Sequence, residues 1–275
     1  MSRGAAPACE RMGDGSPVVL VHGVGVGPWS YRALARDLAG DHTVVLAHRR
    51  GYGASAGMAP PASLEAQVDD LLGLAGGPAA FVGVSGGATL TLAVAIACPE
   101  AVSAAVVHEP VLGALAPELH AELVDAGARL LSSTGLGGTE AFMRALVGPQ
   151  TWASLRPSDV ADVMARDGAI RHEVPQFLAF APTREDLARL AGGRLVSSVG
   201  GRSRRSRRLA AAALAACLAG PTHVIPGVGH LAQLEAPAAL AAALRAAERG
   251  AFDGRADGDD EVLAAGWGDH LQADG

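Results

Sequence analysis

Short runs that are apolar throughout alternate with longer segments of helical period in the first half of the chain. Such runs, rich in β-branched residues, are typical of strands buried on both faces of a sheet. The predicted strands are Val18–His22, Thr43–Ala47, Ala80–Val84 and Ala104–His108, and the predicted helices between them are Ser30–Ala39, Leu64–Leu74 and Gly87–Ala97. Strands that alternate with helices predict a parallel sheet covered by helices.

The pattern changes after Pro110. Residues 113–193 have a helical period and no convincing strand, and the strand pattern then returns at Arg194–Val199 and Thr222–Ile225. Further helices are predicted near Arg207–Ala219 and Pro237–Arg249. A helical block between strands of one sheet predicts a cap, residues 113–193, inserted into a single core made of residues 1–112 and 194–250.

The remaining residues, 251–275, are rich in Gly and Asp and predict a loosely ordered tail. Within it, Val262–Trp267 is the one stretch that could dock onto the domain.

The predicted cap holds four of the ten aromatic residues, Phe142, Trp152, Phe177 and Phe180. One interpretation is that they form a small core of the cap itself. The other is that one or two of them line an apolar substrate pocket beneath the cap, with Trp152, Phe177 and Phe180 as the candidates. The pattern does not decide between the two.

Composition narrows the function classes. The formal net charge of −6 disfavours nucleic-acid binding, which needs a broad cationic surface. No apolar run reaches the roughly 18 residues of a membrane span, and no signal peptide is evident. Three widely spaced Cys without a CxxC motif fit a reducing cytosol. We expect a cytoplasmic protein with a small-molecule substrate, no metal, no organic cofactor and no membrane partner, and with its oligomeric state open.

The segment Gly83–Gly87 reads Gly-Val-Ser-Gly-Gly and stands between a predicted strand and a predicted helix. Small residues on both sides of a serine permit the sharp turn that lifts its hydroxyl above the sheet. The N-terminus of the following helix then presents free N–H groups to a developing negative charge. Gly-x-Ser-x-Gly alone is weak in a chain with 36 Gly, but its position makes Ser85 the candidate nucleophile.

Two further loops carry groups that a serine nucleophile needs. The glycines of His22–Gly25 allow the Val24 N–H to point inward, where it would form an oxyanion hole with the N–H of Gly86. His22 itself is expected to be structural. His230 follows the last predicted strand, where a loop histidine can act as general base and then as general acid.

Four motifs stand in order along the chain: His-Gly-x-Gly at 22–25, Arg-Arg-Gly-Tyr-Gly-Ala-Ser at 49–55, Gly-x-Ser-x-Gly at 83–87 and Gly-x-Gly-His at 227–230. In this order the chain resembles the α/β-hydrolase superfamily from about Pro17 to Arg249. The resemblance implies an α/β fold with a mostly parallel central sheet flanked by helices, an inserted helical cap and a serine nucleophile. It specifies the substrate poorly, because this fold supports many reactions.

The acid of a Ser-His-acid triad is absent from the place that the resemblance implies. Members usually carry an Asp after the penultimate strand, where this chain has Ser203, and no Asp or Glu stands between Asp186 and Glu235. Glu109 is the candidate substitute, because it follows a strand whose end lies at the same sheet edge as the serine and histidine loops. The alternative is an ordinary strand-end residue in a salt bridge. Glu235 is the competing acid and is expected to face solvent.

Five arginines crowd residues 202–208. They predict either a solvated loop and helix start, or an anion-binding patch for a carboxylate, a phosphate or a carrier protein. The sequence does not distinguish the two.

These residues favour a carboxylesterase-like serine hydrolase of small or medium apolar esters. Ser85 attacks, His230 transfers the proton, Glu109 orients His230, and the N–H groups of Val24 and Gly86 hold the oxyanion. Three alternatives stay open: a cofactor-free perhydrolase with the same triad, a C–C bond hydrolase or non-hydrolytic cyclase of secondary metabolism, and a catalytically silent binding protein.

Overall fold

The computed structural model describes residues 5–192 and 194–251. Apart from Ala251, the predicted tail and its segment Val262–Trp267 lie outside the described residues. Seven strands form one sheet: β1 (Cys9–Met12), β2 (Ser16–Val21), β3 (His42–Ala47), β4 (Ala79–Val84), β5 (Val102–His108), β6 (Leu195–Gly200) and β7 (Thr222–Ile225).

The sheet is almost entirely parallel. Its strand order is β1-β3-β2-β4-β5-β6-β7, and only β1, which pairs with β3, is antiparallel. The central strand β4 is buried at all six positions, as its uninterrupted apolar run predicts. The α/β fold is therefore confirmed, with the predicted strand bounds shifted by at most two residues.

The helices of the described residues are α1 (Arg32–Leu38), α2 (Leu64–Ala75), α3 (Gly86–Ala97), α4 (Pro117–Ser132), α5 (Leu136–Val147), α6 (Pro149–Ser154), α7 (Pro157–Ala165), α8 (Asp167–Ala179), α9 (Arg184–Ala188), α10 (Arg205–Cys217), α11 (Ala232–Glu235) and α12 (Pro237–Glu248). None of them combines the length and the apolar character that crossing a bilayer requires.

Helices cover both faces of the sheet. Helices α1 and α12 pack on one face through leucines such as Leu34 and Leu244, while α2, α3 and α10 pack on the other through Leu71, Leu90 and Leu214. Helix α3 is buried at ten of its 12 positions because it lies between the sheet and its neighbours. This packing holds the start of α3, which directly follows Ser85, against β4.

Helices α4 to α9 all fall between β5 and β6, and no strand interrupts described residues 113–192. We call residues 113–192 the helical insertion. Its apolar residues pack on each other and on the core, with Phe142, Val174 and Phe177 in the same buried cluster as Val19 and Leu90. The insertion therefore shares its apolar core with the sheet domain.

Candidate active site

Ser85 lies on a sharp turn between β4 and α3. Its backbone has φ +59° and ψ −125°, a strained conformation for a residue with a side chain. The turn forms because its neighbours are glycines. A Cβ atom on Gly83 would lie 2.3 Å from the carbonyl oxygen of Gly87, and one on Gly87 would lie 1.9 Å from that of Val21. The packing of the turn thus imposes the strain and raises Ser85 above the sheet.

The sheet register brings the ends of three neighbouring strands to one level. Val84 of β4 pairs with His108 of β5, and His108 pairs with Ser198 of β6. One residue further on, the N–H of Ser85 donates to the carbonyl of His108 at 2.9 Å. The N–H of Glu109 donates to the carbonyl of Ser198 at 3.1 Å. Ser85 and Glu109 are therefore neighbours at the carboxyl edge of the sheet.

Both carboxylate oxygens of Glu109 are bound. Oε2 accepts a hydrogen bond from Nδ1 of His230 at 2.7 Å. Oε1 accepts one from the N–H of Gly200 at 2.9 Å and one from the hydroxyl of Ser203. Glu109 is buried and has φ +49°, a second strained backbone at this edge. Ser203, at the place where the resemblance implies an Asp, thus binds the carboxylate that stands one strand closer to the nucleophile.

Burial and charge set the protonation of this pair. Burial lowers the pKa of His230, the guanidinium of Arg207 lowers it further, and Glu109 offsets them in part, so the pKa falls to about 4. Burial acts to raise the pKa of Glu109, but His108, His230 and Arg207 outweigh it and hold that pKa well below its usual range. At neutral pH Glu109 is ionised and only accepts, so Nδ1 of the neutral His230 ring carries the proton.

Ser85 and His230 line adjacent cavities. One cavity is lined by Ser85 and the other by His230, and Leu146 and Arg207 line both. In the part of the chain that the structure describes, the Ser85 hydroxyl forms no hydrogen bond to the His230 ring. Such contacts are often long in enzymes without substrate and shorten when it binds.

The loop after β2 packs directly against the serine turn. A Cβ atom on Gly23 would lie 2.9 Å from the carbonyl oxygen of Val84 and 3.2 Å from Cβ of Ser85. One on Gly86 would lie 3.2 Å from Cγ2 of Val24. Gly86 is the first residue of α3, so its N–H has no partner within the helix. The predicted donors of Val24 and Gly86 therefore flank Ser85 closely.

A buried arginine, which the sequence did not identify as functional, fixes this loop. The guanidinium of Arg49 donates to the carbonyls of His22 at 3.0 Å and Gly23 at 2.8 Å. It also donates to the carboxylate of Glu173, on α8 of the helical insertion, at 2.6 Å. Arg49 and Glu173 are both buried. An ion pair between core and insertion therefore holds the backbone that precedes Val24.

Glu173 reaches the same loop by a second route. Its other oxygen accepts a hydrogen bond from the hydroxyl of Tyr52, and that hydroxyl accepts one from the N–H of Gly25 at 3.1 Å. The backbone is thus held on both sides of Val24. Arg49 and Tyr52 belong to the Arg-Arg-Gly-Tyr-Gly motif, which could have indicated them, whereas no pattern indicated Glu173.

His22 has the structural role that the sequence predicted. Its ring is buried, with Nδ1 3.1 Å from the carbonyl oxygen of Gly23 and Nε2 accepting from the N–H of Arg49 at 3.3 Å. Burial holds its pKa well below the ordinary value. Within residues 5–192 and 194–251, no group of three or more His, Cys, Asp or Glu side chains is arranged to hold a metal ion.

The cavity at Ser85 is small and mostly apolar. Its volume is about 30 Å³. Its lining consists of Val24, Ser85, Val111, Leu123, Phe142, Leu146, Val174, Phe177, Leu178 and Arg207. Of the three aromatic residues predicted to bind substrate, Phe177 lines it. Trp152 and Phe180 do not line it; Trp152 is buried and Phe180 partly buried among other apolar side chains. Phe142, which the sequence grouped with them, also lines the cavity.

Glu235 is not the solvent-facing residue that the sequence indicated. Its side chain is 17% exposed and accepts hydrogen bonds from the N–H of Gly229 at 2.9 Å, the hydroxyl of Thr151 at 3.0 Å and the guanidinium of Arg202. It therefore binds the backbone of the loop that carries His230. The ring itself is bonded by Glu109, not by this competitor.

One member of the arginine run departs from the solvated interpretation. The side chains of Arg202, Arg204 and Arg205 are 50%, 54% and 62% exposed. That of Arg207 is only 8% exposed, and its Nη1 lies 3.6 Å from Oε2 of Glu109. The solvated interpretation holds for the first three and is wrong for Arg207.

The model of the alpha/beta hydrolase family matches residues 18–243. A search of curated protein sequences finds no match.

Solved structures share the fold at low sequence identity. A hydrolase from Pseudomonas aeruginosa PA01 is 20% identical with a TM-score of 0.74, over 90% of this chain and 96% of that one. A thermophilic esterase from Thermogutta terrifontis is 22% identical with a TM-score of 0.72, over 88% and 92%. An enol-lactonase from Burkholderia xenovorans LB400 is 16% identical with a TM-score of 0.67, over 87% and 95%. Likeness at this identity establishes the fold alone.

Proposed function

Because the chain belongs to the alpha/beta hydrolase family, we propose that it is a serine hydrolase that cleaves esters of small apolar acyl groups. One observation carries the proposal: the 2.7 Å hydrogen bond between His230 and Glu109. Glu109 directly follows β5, and β5 lies next to β4, which Ser85 directly follows. A buried carboxylate on the histidine of a serine site is the arrangement that ester hydrolysis uses. The esterase and the lactonase among the structural neighbours fit this reaction class.

The proposed reaction has two steps. Ser85 attacks the ester carbonyl while Nε2 of His230 takes the serine proton, and Glu109 stabilises the imidazolium that forms. The N–H groups of Val24 and Gly86 bind the oxyanion, and each such donor contributes roughly 10²–10³ in rate. His230 then protonates the leaving oxygen, and a water molecule activated by the same ring hydrolyses the acyl-enzyme.

The cavity at Ser85 favours a short acyl chain. A volume of about 30 Å³ leaves little room for a long acyl chain. Six of its ten lining residues are leucine, valine and phenylalanine residues of the helical insertion, with Phe142 and Phe177 among them. We therefore infer that the insertion acts as a cap and that acetyl-sized groups are accepted over long chains.

The test is turnover of p-nitrophenyl esters by the wild type and matched variants. We expect p-nitrophenyl acetate to be cleaved faster than the decanoate, and Ser85→Ala to abolish turnover of both. Glu109→Gln should lower kcat by roughly 10³–10⁴, because the ring loses its charge partner and its tautomer preference.

Glu235→Gln is the matched control, because Glu235 binds the backbone of the same loop through the N–H of Gly229. We expect it to lower kcat far less than Glu109→Gln. Turnover abolished by Glu235→Gln and unchanged by Glu109→Gln would overturn the assignment of the acid. Ester turnover that survives Ser85→Ala would overturn the proposed function itself.

A further inference from the structure

Arg207 is a buried guanidinium with few partners. Within residues 5–192 and 194–251 it makes one hydrogen bond, from Nη2 to the carbonyl of Leu146 at 3.2 Å, and its 3.6 Å approach to Glu109 is an ion pair beyond hydrogen-bond distance. Arg49, which is equally buried, donates four hydrogen bonds. A guanidinium carries five N–H donors. Among the described residues, no nitrogen of Arg207 is both fully buried and without a partner, so its remaining donors face space that water or a ligand can enter. Arg207 therefore has donor capacity to spare.

The spare donors of Arg207 border a second cavity. This cavity has a volume of about 210 Å³ and is lined also by Arg202, Arg204 and His230. We call it the arginine cavity. Among the described residues, no Asp or Glu side chain lines it. It lies beside the apolar cavity at Ser85, with which it shares Arg207.

The proposed reaction fixes which part of an ester belongs there. The acyl carbon must lie at Ser85, and the leaving oxygen must face His230, which protonates it. The group attached to that oxygen therefore extends into the cavity that His230 lines. We propose that the arginine cavity binds the leaving group of the substrate, and that this leaving group carries a carboxylate bound by Arg207. The inference rests on the proposed function and specifies its substrate class.

The charges around the cavity match a single negative group. Arg202 is paired with Glu235, and Arg204 lies 3.8 Å from Glu122, so both already have acidic partners. The acid nearest to Arg207 is Glu109. That carboxylate already accepts hydrogen bonds from Gly200, Ser203 and His230, so it does not serve Arg207 alone. One carboxylate with two oxygens suits the forked donors of one guanidinium.

A bound carboxylate would also assist the chemistry. Arg207 opposes the charged form of His230, because two like charges in a buried site repel each other. An anion on the guanidinium offsets that repulsion as His230 accepts the serine proton. We therefore expect substrates with a carboxylate on the leaving group to have a higher kcat as well as a lower KM.

The experiment compares two acetyl esters that differ only in the leaving group. One is 4-acetoxybenzoate, which releases 4-hydroxybenzoate. The other is methyl 4-acetoxybenzoate, which is neutral and releases methyl 4-hydroxybenzoate. We expect kcat/KM of the wild type for the charged ester to exceed that for the neutral ester by roughly ten- to a hundredfold, as charge-assisted hydrogen bonds allow. Arg207→Gln should remove this preference. Arg205→Gln should keep it, because Arg205 pairs with Glu118 and does not line the cavity.

A measurement on the wild type alone guards against misfolding of the variant. We expect 4-hydroxybenzoate to inhibit hydrolysis of the neutral ester competitively, at a concentration at least tenfold lower than methyl 4-hydroxybenzoate requires. Equal kcat/KM for the two esters with equal inhibition by the two phenols, while cleavage still depends on Ser85, would overturn the arginine cavity alone. Equal losses for both esters in Arg207→Gln would assign Arg207 to the support of Glu109. Failure to cleave either ester would count against the proposed function.

Discussion

Replacing Glu173 by Gln tests whether the helical insertion takes part in catalysis. Glu173 is 3% exposed and binds Arg49 at 2.6 Å with one oxygen and Tyr52 with the other. Gln keeps the shape of the side chain and removes the charge, which leaves Arg49 buried without its counter-ion. Through Arg49 and Tyr52 the change reaches the backbone on both sides of Val24, a proposed oxyanion donor.

The expected losses of stability and of kcat follow from the hydrogen bonds that Arg49 keeps in the variant. Breaking a buried ion pair costs about 3–5 kcal/mol. Arg49 keeps its bonds to His22, Gly23 and Gln67, so the lower end is expected. About 3 kcal/mol corresponds to a fall in Tm of roughly 6–12 °C for a domain of this size. Loss of a whole oxyanion donor lowers kcat by roughly 10²–10³. In the variant Arg49 still holds the loop, but in a displaced position, so we expect kcat to fall by about ten- to a hundredfold.

The assay is kcat and KM for p-nitrophenyl acetate, measured well below the melting temperature of the variant. Asp162→Asn is the matched control. Asp162 accepts hydrogen bonds from Trp29 at 2.9 Å and from Arg166 at 3.3 Å, and so also joins the insertion to the core, but it does not bond to the groups that hold the backbone at Gly23 and Gly25. We expect kcat to fall in Glu173→Gln and to stay unchanged in Asp162→Asn, with KM nearly constant. A lower Tm with wild-type kcat in Glu173→Gln would refute the reasoning.

Three further predictions concern the base, the turn and the cavity. In the proposed mechanism the neutral ring of His230 is the active form, so we expect kcat/KM for a neutral ester to stay high as pH falls and to decline only near the His230 pKa of about 4; a half-maximum near 6.5 in the pH profile would contradict this. Gly87→Ala would put Cβ 1.9 Å from a main-chain oxygen of β2, so we expect a loss of several kcal/mol or no folded protein in thermal denaturation. Gly73→Ala, in the interior of α2 with open space around it, should instead raise Tm slightly, and similar losses in both would contradict the packing argument. Phe142→Ala should enlarge the cavity and shift the preference among p-nitrophenyl esters towards longer acyl chains, whereas Phe180→Ala should not; an identical shift in both would argue against the cavity as the acyl site.

The sheet was predictable because its strands carry their own signal. Strands β2 and β4 are buried on both faces, and their apolar runs are uninterrupted. β1 gives no such signal. It has four residues with Glu10 and Arg11 among them, and none is fully buried, since it lies at the edge of the sheet. Its place depends on pairing with β3, which no local pattern encodes.

The predicted site residues follow from motif and topology. Ser85 and His230 lie in recognisable loops, and Glu109 was indicated because it follows a strand whose end lies at the same sheet edge as those loops. The missed residues are buried charges. Glu and Arg are residue types that usually lie at the surface. Glu173 and Arg207 are buried only because the insertion packs against the core. Glu235 was misplaced for the same reason, because its partner Thr151 comes from the insertion.

Covalent labelling by a fluorophosphonate tests the central claim, that Ser85 is a nucleophile activated by His230, most directly. The account predicts that the intact mass of the wild type rises by one adduct, that peptide mapping places the adduct on Ser85, and that Ser85→Ala takes up none. His230→Ala should label at least a hundredfold more slowly, while His120→Ala, in the helical insertion, should label at the wild-type rate. A folded wild type that takes up no label, or an adduct on another residue that persists in Ser85→Ala, would contradict it.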